Sequence, residues 1–325
     1  MASLKQIAAE MGVSIATVSN ALSGKGRVSE ELVARIRTHA DELGYRPSTA
    51  ARALKTGQTG ILGLVMPDLT NPLFPRIAQN LSIAAEARGL GILIGDSRGD
   101  AERQDQAISR LQDRGVDGMI IVPQKGTSPD APGLPTVIIN TASDPRTTVS
   151  ADHVGGGCQL GLHMAGLGHG QVVLLGGDAV SEVQRDRIRG MVEGLGAGVV
   201  HHTLWGEAGM ARLPALVAEG VTAVMATSDL IALGAHSHLM RAGLSVPEDV
   251  SLTGFDDLPL AMAMYPALTT VAQDVDTIAE QALDVLTRKI AGEDLPLQAR
   301  SIPMQLVLRQ STAAPRGPLA PRSKR

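Results

Sequence analysis

At 325 residues, 44% of them hydrophobic, the chain is long enough to bury two or three domain cores, and its single cysteine, Cys158, excludes an intrachain disulfide or a cysteine-rich metal site and fits a reducing compartment. No apolar run reaches the ~20 residues of a membrane span, and Lys5, Gln6 and Glu10 interrupt residues 1–11 where a signal peptide would be apolar, so a cytoplasmic protein with no membrane partner is expected. The net charge of −4 argues against a nucleic-acid partner on average but hides an asymmetry: residues 1–60 hold eight Lys and Arg against five Asp and Glu, leaving 21 against 28 elsewhere, a basic head on an acidic body.

The head, residues 1–46, reads as three short helices. Ser3 followed by Gln6 matches a capping box, and Leu4, Ile7, Ala8 and Met11 then recur on one apolar face. Gly12 can supply the left-handed residue that ends this helix, and Ser14 can cap the next after a very short turn. That second helix turns Val18 and Leu22 inward and leaves Ile15, Ala16, Ser19 and Asn20 outward. A third helix follows Ser29, with Glu30 and Glu31 favoured by the dipole of its first turn and Leu32, Val33, Ile36, Ala40 and Leu43 inward. A generic helical bundle would satisfy the same spacing. The outward face of the second helix, however, lacks Glu and Lys and is small enough to lie in a major groove about 12 Å wide. There Asn20 can pair with adenine and Ile15 and Ala16 can pack on thymine methyls, while Ser14, Thr17 and Ser19 suit phosphate oxygens. The head is therefore expected to be a helix-turn-helix domain that binds double-stranded DNA.

Residues 47–60 read as a hinge. Pro47 stops the preceding helix, Ser48 can cap a short one from Thr49 to Lys55, and residues 57–60 (Gly-Gln-Thr-Gly) break it. So short a helix is marginal alone and needs a partner. From Ile61 the pattern becomes short apolar runs alternating with amphipathic helices. Strands are expected at 61–66, 91–95, 118–122, 136–139, 172–175, 199–204, 223–226 and 251–255, an open α/β architecture spanning residues 61–310. Residues 311–325, rich in proline and ending basic, carry no heptad repeat and are expected to be a disordered tail.

Ligands in such sheets bind beyond the carboxyl ends of strands. In the first half these ends place Asp68, Asn71, Leu73, Phe74, Asp96, Ser97 and Asn140. In the second they place Arg187, Ser228, Asp229, Phe255 and Asp256. Asp229 is either a ligand contact or the N-cap of the helix it precedes, and strand alternation turns either Phe255 or Asp256 into a cleft. A fork of Arg187 facing Asp256 could hold neighbouring hydroxyls of a sugar. Residues 155–157 (three glycines) and 166–170 fit neither a dinucleotide fingerprint nor a P-loop and read as helix ends and turns. His201–His202 and His236–His238 are too closely spaced to share a helix face, no Gly-x-Ser-x-Gly elbow occurs, and Cys158 reads as buried filler. No enzyme, cofactor or metal is expected.

The ordered series Ile7-Ala8-Ala9-Glu10-Met11-Gly12-Val13-Ser14, Thr17-Val18-Ser19, Leu43-Gly44-Tyr45-Arg46-Pro47 and Ala51-Arg52-Ala53-Leu54-Lys55 resembles the LacI/GalR family of bacterial transcription regulators. The match continues through Gly63-Leu64-Val65-Met66-Pro67-Asp68, Asn71-Pro72-Leu73-Phe74 and Pro266-Ala267-Leu268-Thr269-Thr270-Val271, covering nearly the whole chain. The resemblance implies a small all-α helix-turn-helix head joined to an α/β two-lobed periplasmic-binding-protein-like body. Its crossovers are expected near residues 142–150, 246–249 and 257–273, the last returning a strand to the first lobe. It implies a repressor that binds a palindromic operator as a homodimer under allosteric control of a small-molecule effector, a sugar or sugar derivative. Ile15, Ala16 and Asn20 take the base-reading positions, and Leu54, beside Lys55, matches a leucine that wedges into the minor groove. Leu73, Phe74, Arg187, Ser228, Asp229 and Asp256 match effector contacts, with Trp205 near another aromatic position. Ser228 departs from the amide of many sugar-responsive members, which leaves a nucleoside or another small polar metabolite open. A transport-type binding protein and an α/β enzyme acting on a sugar are the rivals.

Overall fold

The computed structural model describes residues 3–23, 26–45, 57–295 and 300–316. The chain forms two compact units, Met1–Gly60 and Ile61–Arg325. The hinge helix expected at 49–55, with Leu54 and Lys55, lies outside the described residues.

In the first unit, α1 (Leu4–Met11), α2 (Ile15–Ser23) and α3 (Glu30–Glu42) enclose a core of Ile7, Ala8, Val18, Ala21, Ile36 and Ala40. Their ends follow the side chains expected. Ser3 Oγ accepts the Gln6 N–H at 3.2 Å, Ser14 Oγ that of Thr17 at 3.0 Å, and Ser29 Oγ that of Leu32 at 3.4 Å. Gly12 ends α1 at φ 67°, a left-handed value that costs glycine nothing. The capping box is half made, because the Gln6 amide turns forward to Glu10 at 3.0 Å. His39 of α3 joins Glu10 of α1 at 2.7 Å, which holds its imidazole above the usual pKa.

The second unit holds two parallel sheets. The first has the order β11-β5-β4-β3-β1-β2, with β1 (Ile61–Met66), β2 (Gly91–Asp96), β3 (Gly118–Ile121), β4 (Thr136–Asn140), β5 (Val149–Ala151) and β11 (Arg300–Ile302). The second runs β7-β6-β8-β9, with β6 (Gln171–Gly176), β7 (Val200–Trp205), β8 (Ala223–Ala226) and β9 (Ser251–Thr253). An antiparallel pair, β10 (Thr270–Ala272) with β12 (Gln305–Val307), links them. Parallel strands buried on both faces explain the continuous apolar runs, as in Leu62–Met66 and Val172–Leu175, which are buried throughout.

The chain changes lobe elsewhere than expected at two points. Ile139 pairs with Val149, so 141–148 is a loop within the first sheet and the chain leaves it only after Ala151. Residues 246–249 precede β9 inside the second lobe. The return through 257–273 is real, but β10 delivers α12 (Val275–Ile290), which packs on α4 (Leu73–Ala87), before β11 joins the sheet. A third crossing runs from β11 to β12. The body also continues past residue 310, where the sequence places the start of a disordered tail: Leu252 N–H donates to Ser311 O at 2.8 Å and Ala313 N–H to Ser251 Oγ at 3.0 Å. These bonds satisfy the open edge of β9.

The three glycines at 155–157, expected at helix ends and turns, sit in the first turns of α6 (His153–Gly166). Of these, Gly157 belongs with Gly161 to a close contact with α7 (Glu182–Leu195). A Cβ at Gly157 or Gly161 would strike the backbone of Arg187 or Met191, and one at Gly190 or Gly194 that of Val154 or Cys158. Among the described residues no helix is long and apolar enough to cross a membrane.

Candidate nucleic-acid interface and ligand cleft

The first two turns of α2 carry the face of interest. Val18 and Ala21 are buried, which fixes the rotation of the helix, and Ile15 is left 49% exposed beside exposed Ala16 and Asn20. Water gains nothing from an exposed isoleucine, so its place on a short, uncharged face suits contact with an apolar surface such as base methyls. Ser14 has a local task besides any external one, since its hydroxyl caps the helix and meets Thr17 Oγ1 at 2.8 Å. Asn20 lies against the loop to α3, where a Cβ at Gly26 would come within 3.1 Å of its Nδ2. Gly26 is at φ 92°, so glycine is required there twice over.

In the body, the carboxyl ends of β1 to β4 and of β6, β8 and β9 meet across an interlobe cleft. Arg187, on α7, is 3% exposed and makes three hydrogen bonds within the protein. It donates from Nη1 to Thr227 O at 2.7 Å, from Nη2 to Asp256 Oδ1 at 2.8 Å and from Nε to His153 Nδ1 at 3.3 Å. Its guanidinium also lies 4.2 Å from the centre of the Phe255 ring. Asp256 Oδ1 accepts a second bond, from Gln273 Nε2 at 2.6 Å. The structure thus brings the expected Arg187 and Asp256 together and assigns Phe255 to the core, where it is wholly buried. Asp256 and Asp257 both have positive φ, 104° and 49°, which cost an L-residue energy and fold the chain sharply at the lobe junction. From that turn Asp257 O accepts from Arg76 of α4 at 3.1 Å, and its carboxylate meets Arg309 at 2.6 Å.

Asp229 faces away from this pair. It is neither cap nor open contact: Ser228 Oγ caps α10 (Asp229–Arg241) by accepting the Ile231 N–H at 3.2 Å. Asp229 itself is fully buried, accepting from Thr270 Oγ1 at 2.6 Å and Leu258 N–H at 2.7 Å. Burial pushes its carboxyl up to about 7, aided by the charges of Asp256 and Asp257 and opposed by the Thr270 and Leu258 bonds. Trp205 lies at the end of β7 with its ring over Gly176, where any Cβ would collide with it. Phe74 is half-buried and Leu73 is buried in the lobe core at the start of α4. Ser97 is buried and spent on structure, donating to Met66 O and accepting from Gln124 Nε2 at 3.0 Å. Asp68, Asn71, Asp96 and Asn140 hold their own turns through bonds to Thr70, Leu73, Arg98 and Asp144.

The lobes touch around the cleft. Thr141 Oγ1 donates to the buried Asp186 carboxylate, Lys125 stands 3.6 Å from Asp178, and a Cβ at Gly126 would meet Val180 at 2.6 Å. A rim cavity of about 420 Å³ is lined by Ser143, Glu182, Arg185, Asp186 and Arg189, so it opens beside the Arg187 cluster and not over it. His153 and Gln273 escaped sequence reasoning. The strand that ends two residues before His153 has only three residues, too short for a period, so its carboxyl end went unrecognised.

Comparison with known proteins places these features. The model of bacterial regulatory proteins of the lacI family matches residues 3–48, and that of the periplasmic binding protein-like domain matches 162–312. The chain is 34% identical to the HTH-type transcriptional regulator MalR of Streptomyces coelicolor, over 97% of each protein. It is 27% identical to the ribose operon repressor of Escherichia coli, over 92% of this chain and 96% of the repressor. Its fold matches that of the lac repressor dimer bound to operator and the anti-inducer ONPF with a TM-score of 0.81 at 24% identity, over 96% and 99% of the two chains. The transcriptional regulator CelR in its cellobiose complex matches with a TM-score of 0.70 at 25% identity, over 96% and 100%. Identity of this extent, spanning head and body together, means that the chain belongs to the lacI family of bacterial regulatory proteins.

Proposed function

We propose that this DNA-binding regulator represses transcription in the cytoplasm as a homodimer on an inverted-repeat operator, and that a sugar in the interlobe cleft changes its hold on DNA. One observation carries the reading: a short-chained, uncharged helix face with Ile15 half exposed is joined in one chain to a cleft that seals an arginine–carboxylate pair at its floor. Ile15, Ala16 and Asn20 read bases, Ser14, Thr17 and Ser19 fix position on phosphates, and Leu54 with Lys55 engages the minor groove. Leu73, Phe74, Arg187, Trp205, Ser228 and Asp256 surround the sugar. Asp229 is reassigned from contact to support, since both its oxygens are used behind the cleft.

Pairing of two copies supports palindromic recognition, one head to each half-site. Leu230, Leu233 and Met240 form an exposed apolar stripe along α10 and suit burial against a second copy. The reading includes no catalytic step and no cofactor. Full reversal of operator occupancy from 99:1 to 1:99 needs a ligand that distinguishes the two states by ~5.5 kcal/mol.

Selection of duplexes from a random pool by the full-length chain, with and without D-ribose, D-xylulose or cellobiose, tests the reading. Enrichment of an inverted repeat that one sugar alters is expected. Enrichment of no duplex, or turnover of any of the sugars, would defeat it.

A further inference from the structure

His153 has no place in the effector set matched by resemblance, yet it is part of the same buried cluster. It is 6% exposed and opens α6 two residues after the end of β5, at the first crossing between lobes. Arg187 Nε carries a hydrogen and can only donate, so the His153 Nδ1 that meets it must accept, and the ring proton belongs to Nε2. Burial and the neighbouring guanidinium both hold the imidazole well below its usual pKa, so it stays neutral. Among the described residues Nε2–H meets no protein acceptor. Asp256 is placed alike at the other end of Arg187: both of its protein bonds fall on Oδ1, and Oδ2 is open. Arg187 therefore holds a donor and an acceptor on either side of one guanidinium.

We propose that His153 is a specificity-determining residue of the cleft, its Nε2–H donating to one hydroxyl of a ligand whose adjacent hydroxyl donates to Asp256 Oδ2. This rests on the sugar reading above and narrows it to compounds with vicinal hydroxyls. The lost bond is felt because an unpaired polar group at a dry site costs more than the bond itself contributes.

Isothermal titration of the full-length chain with D-ribose, D-xylulose and cellobiose, each beside its single-deoxy derivatives, reads the proposal directly. In the wild type one deoxy derivative should bind about three- to tenfold more weakly than its parent. In His153→Phe that ratio should fall to about one, while His153→Gln, which can still accept from Arg187 and donate outward, should keep part of it. An unchanged ratio in His153→Phe overturns the proposal. A second measurement needs no sugar: ¹⁵N-histidine spectra of the wild-type chain should show His153 protonated on Nε2 alone, and protonation on Nδ1 overturns it. A wild-type chain that binds none of the three sugars defeats the sugar reading itself, whereas binding uncoupled from His153 defeats only the present proposal.

Discussion

Arg187 and Asp256 meet at 2.8 Å with side chains only 4% exposed, so each is the other's counter-charge out of water. Breaking such a pair from one side typically costs about 3–5 kcal/mol, whereas replacing both partners with apolar residues is often neutral. Asp256→Ala should therefore lower the stability of the body by that amount in urea denaturation, besides ending any response to ligand. Arg187→Met with Asp256→Leu should lose far less than the two single changes added; additive losses would contradict the coupling. Asp229 makes a different prediction. Its folded pKa of about 7 stands above the unfolded 3.8, so the native state binds the extra proton between them. The stability it contributes is whole below pH 3.8 and is lost as the pH rises toward 7. Asp229→Asn should flatten that part of the stability profile; an unchanged slope would show that other groups cause it. The strand-end rule made Arg187 and Asp256 legible in the sequence. It could not tell Asp256 from Asp229, because which way a carboxylate turns is decided by partners such as Thr270 and Gln273, more than a dozen residues away in the chain.

Helix ends were legible because capping is local: Ser3, Ser14 and Ser29 each bond an amide three residues on. The long strands were legible for the same reason, whereas β5 and β10 to β12, three residues each, owe their pairing to where the crossings bring them. The close contact of α6 with α7 went unread although the spacing of its glycines, Gly157 with Gly161 and Gly190 with Gly194, was in view. Small residues four apart mark a helix contact only when the partner helix is known. Gly190→Val should push α7 off α6, destabilise the body by about 1–3 kcal/mol or more and displace Arg187. Gly166→Ala, with nothing within 4 Å of the new methyl, should be neutral or stabilise by up to about 1 kcal/mol. Equal melting temperatures for the two variants would refute the close contact. In the head, the Glu10–His39 bond ties α1 to α3 and raises the histidine pKa above 6.5. Its contribution is complete below 6.5 and is lost as the pH rises through the raised value, so the head should melt lower at pH 8 than at pH 6. His39→Gln should remove that difference in a thermal melt.

For the whole molecule, a basic, three-helix unit and an α/β unit were readable from periodicity and charge and the division into two lobes only from the family resemblance, while the points at which the chain crosses between lobes were not, since a crossing has no composition of its own. Regulation requires the two units to share one equilibrium. A ligand can shift DNA binding only by the difference in its affinity for two states of the body, typically 1–3 kcal/mol or about 5- to 150-fold. Ile15 and Ala16 should govern which base is preferred and leave sugar affinity unchanged, while Arg187 and Asp256 should do the reverse. The most direct measurement is fluorescence anisotropy of the full-length chain on its selected inverted-repeat duplex, titrated with and without the sugar that binds the body. The dissociation constant is predicted to change at least about fivefold with sugar in the wild type and not at all in Asp256→Ala. A dissociation constant that stays the same in the wild type with the cleft saturated would contradict the account.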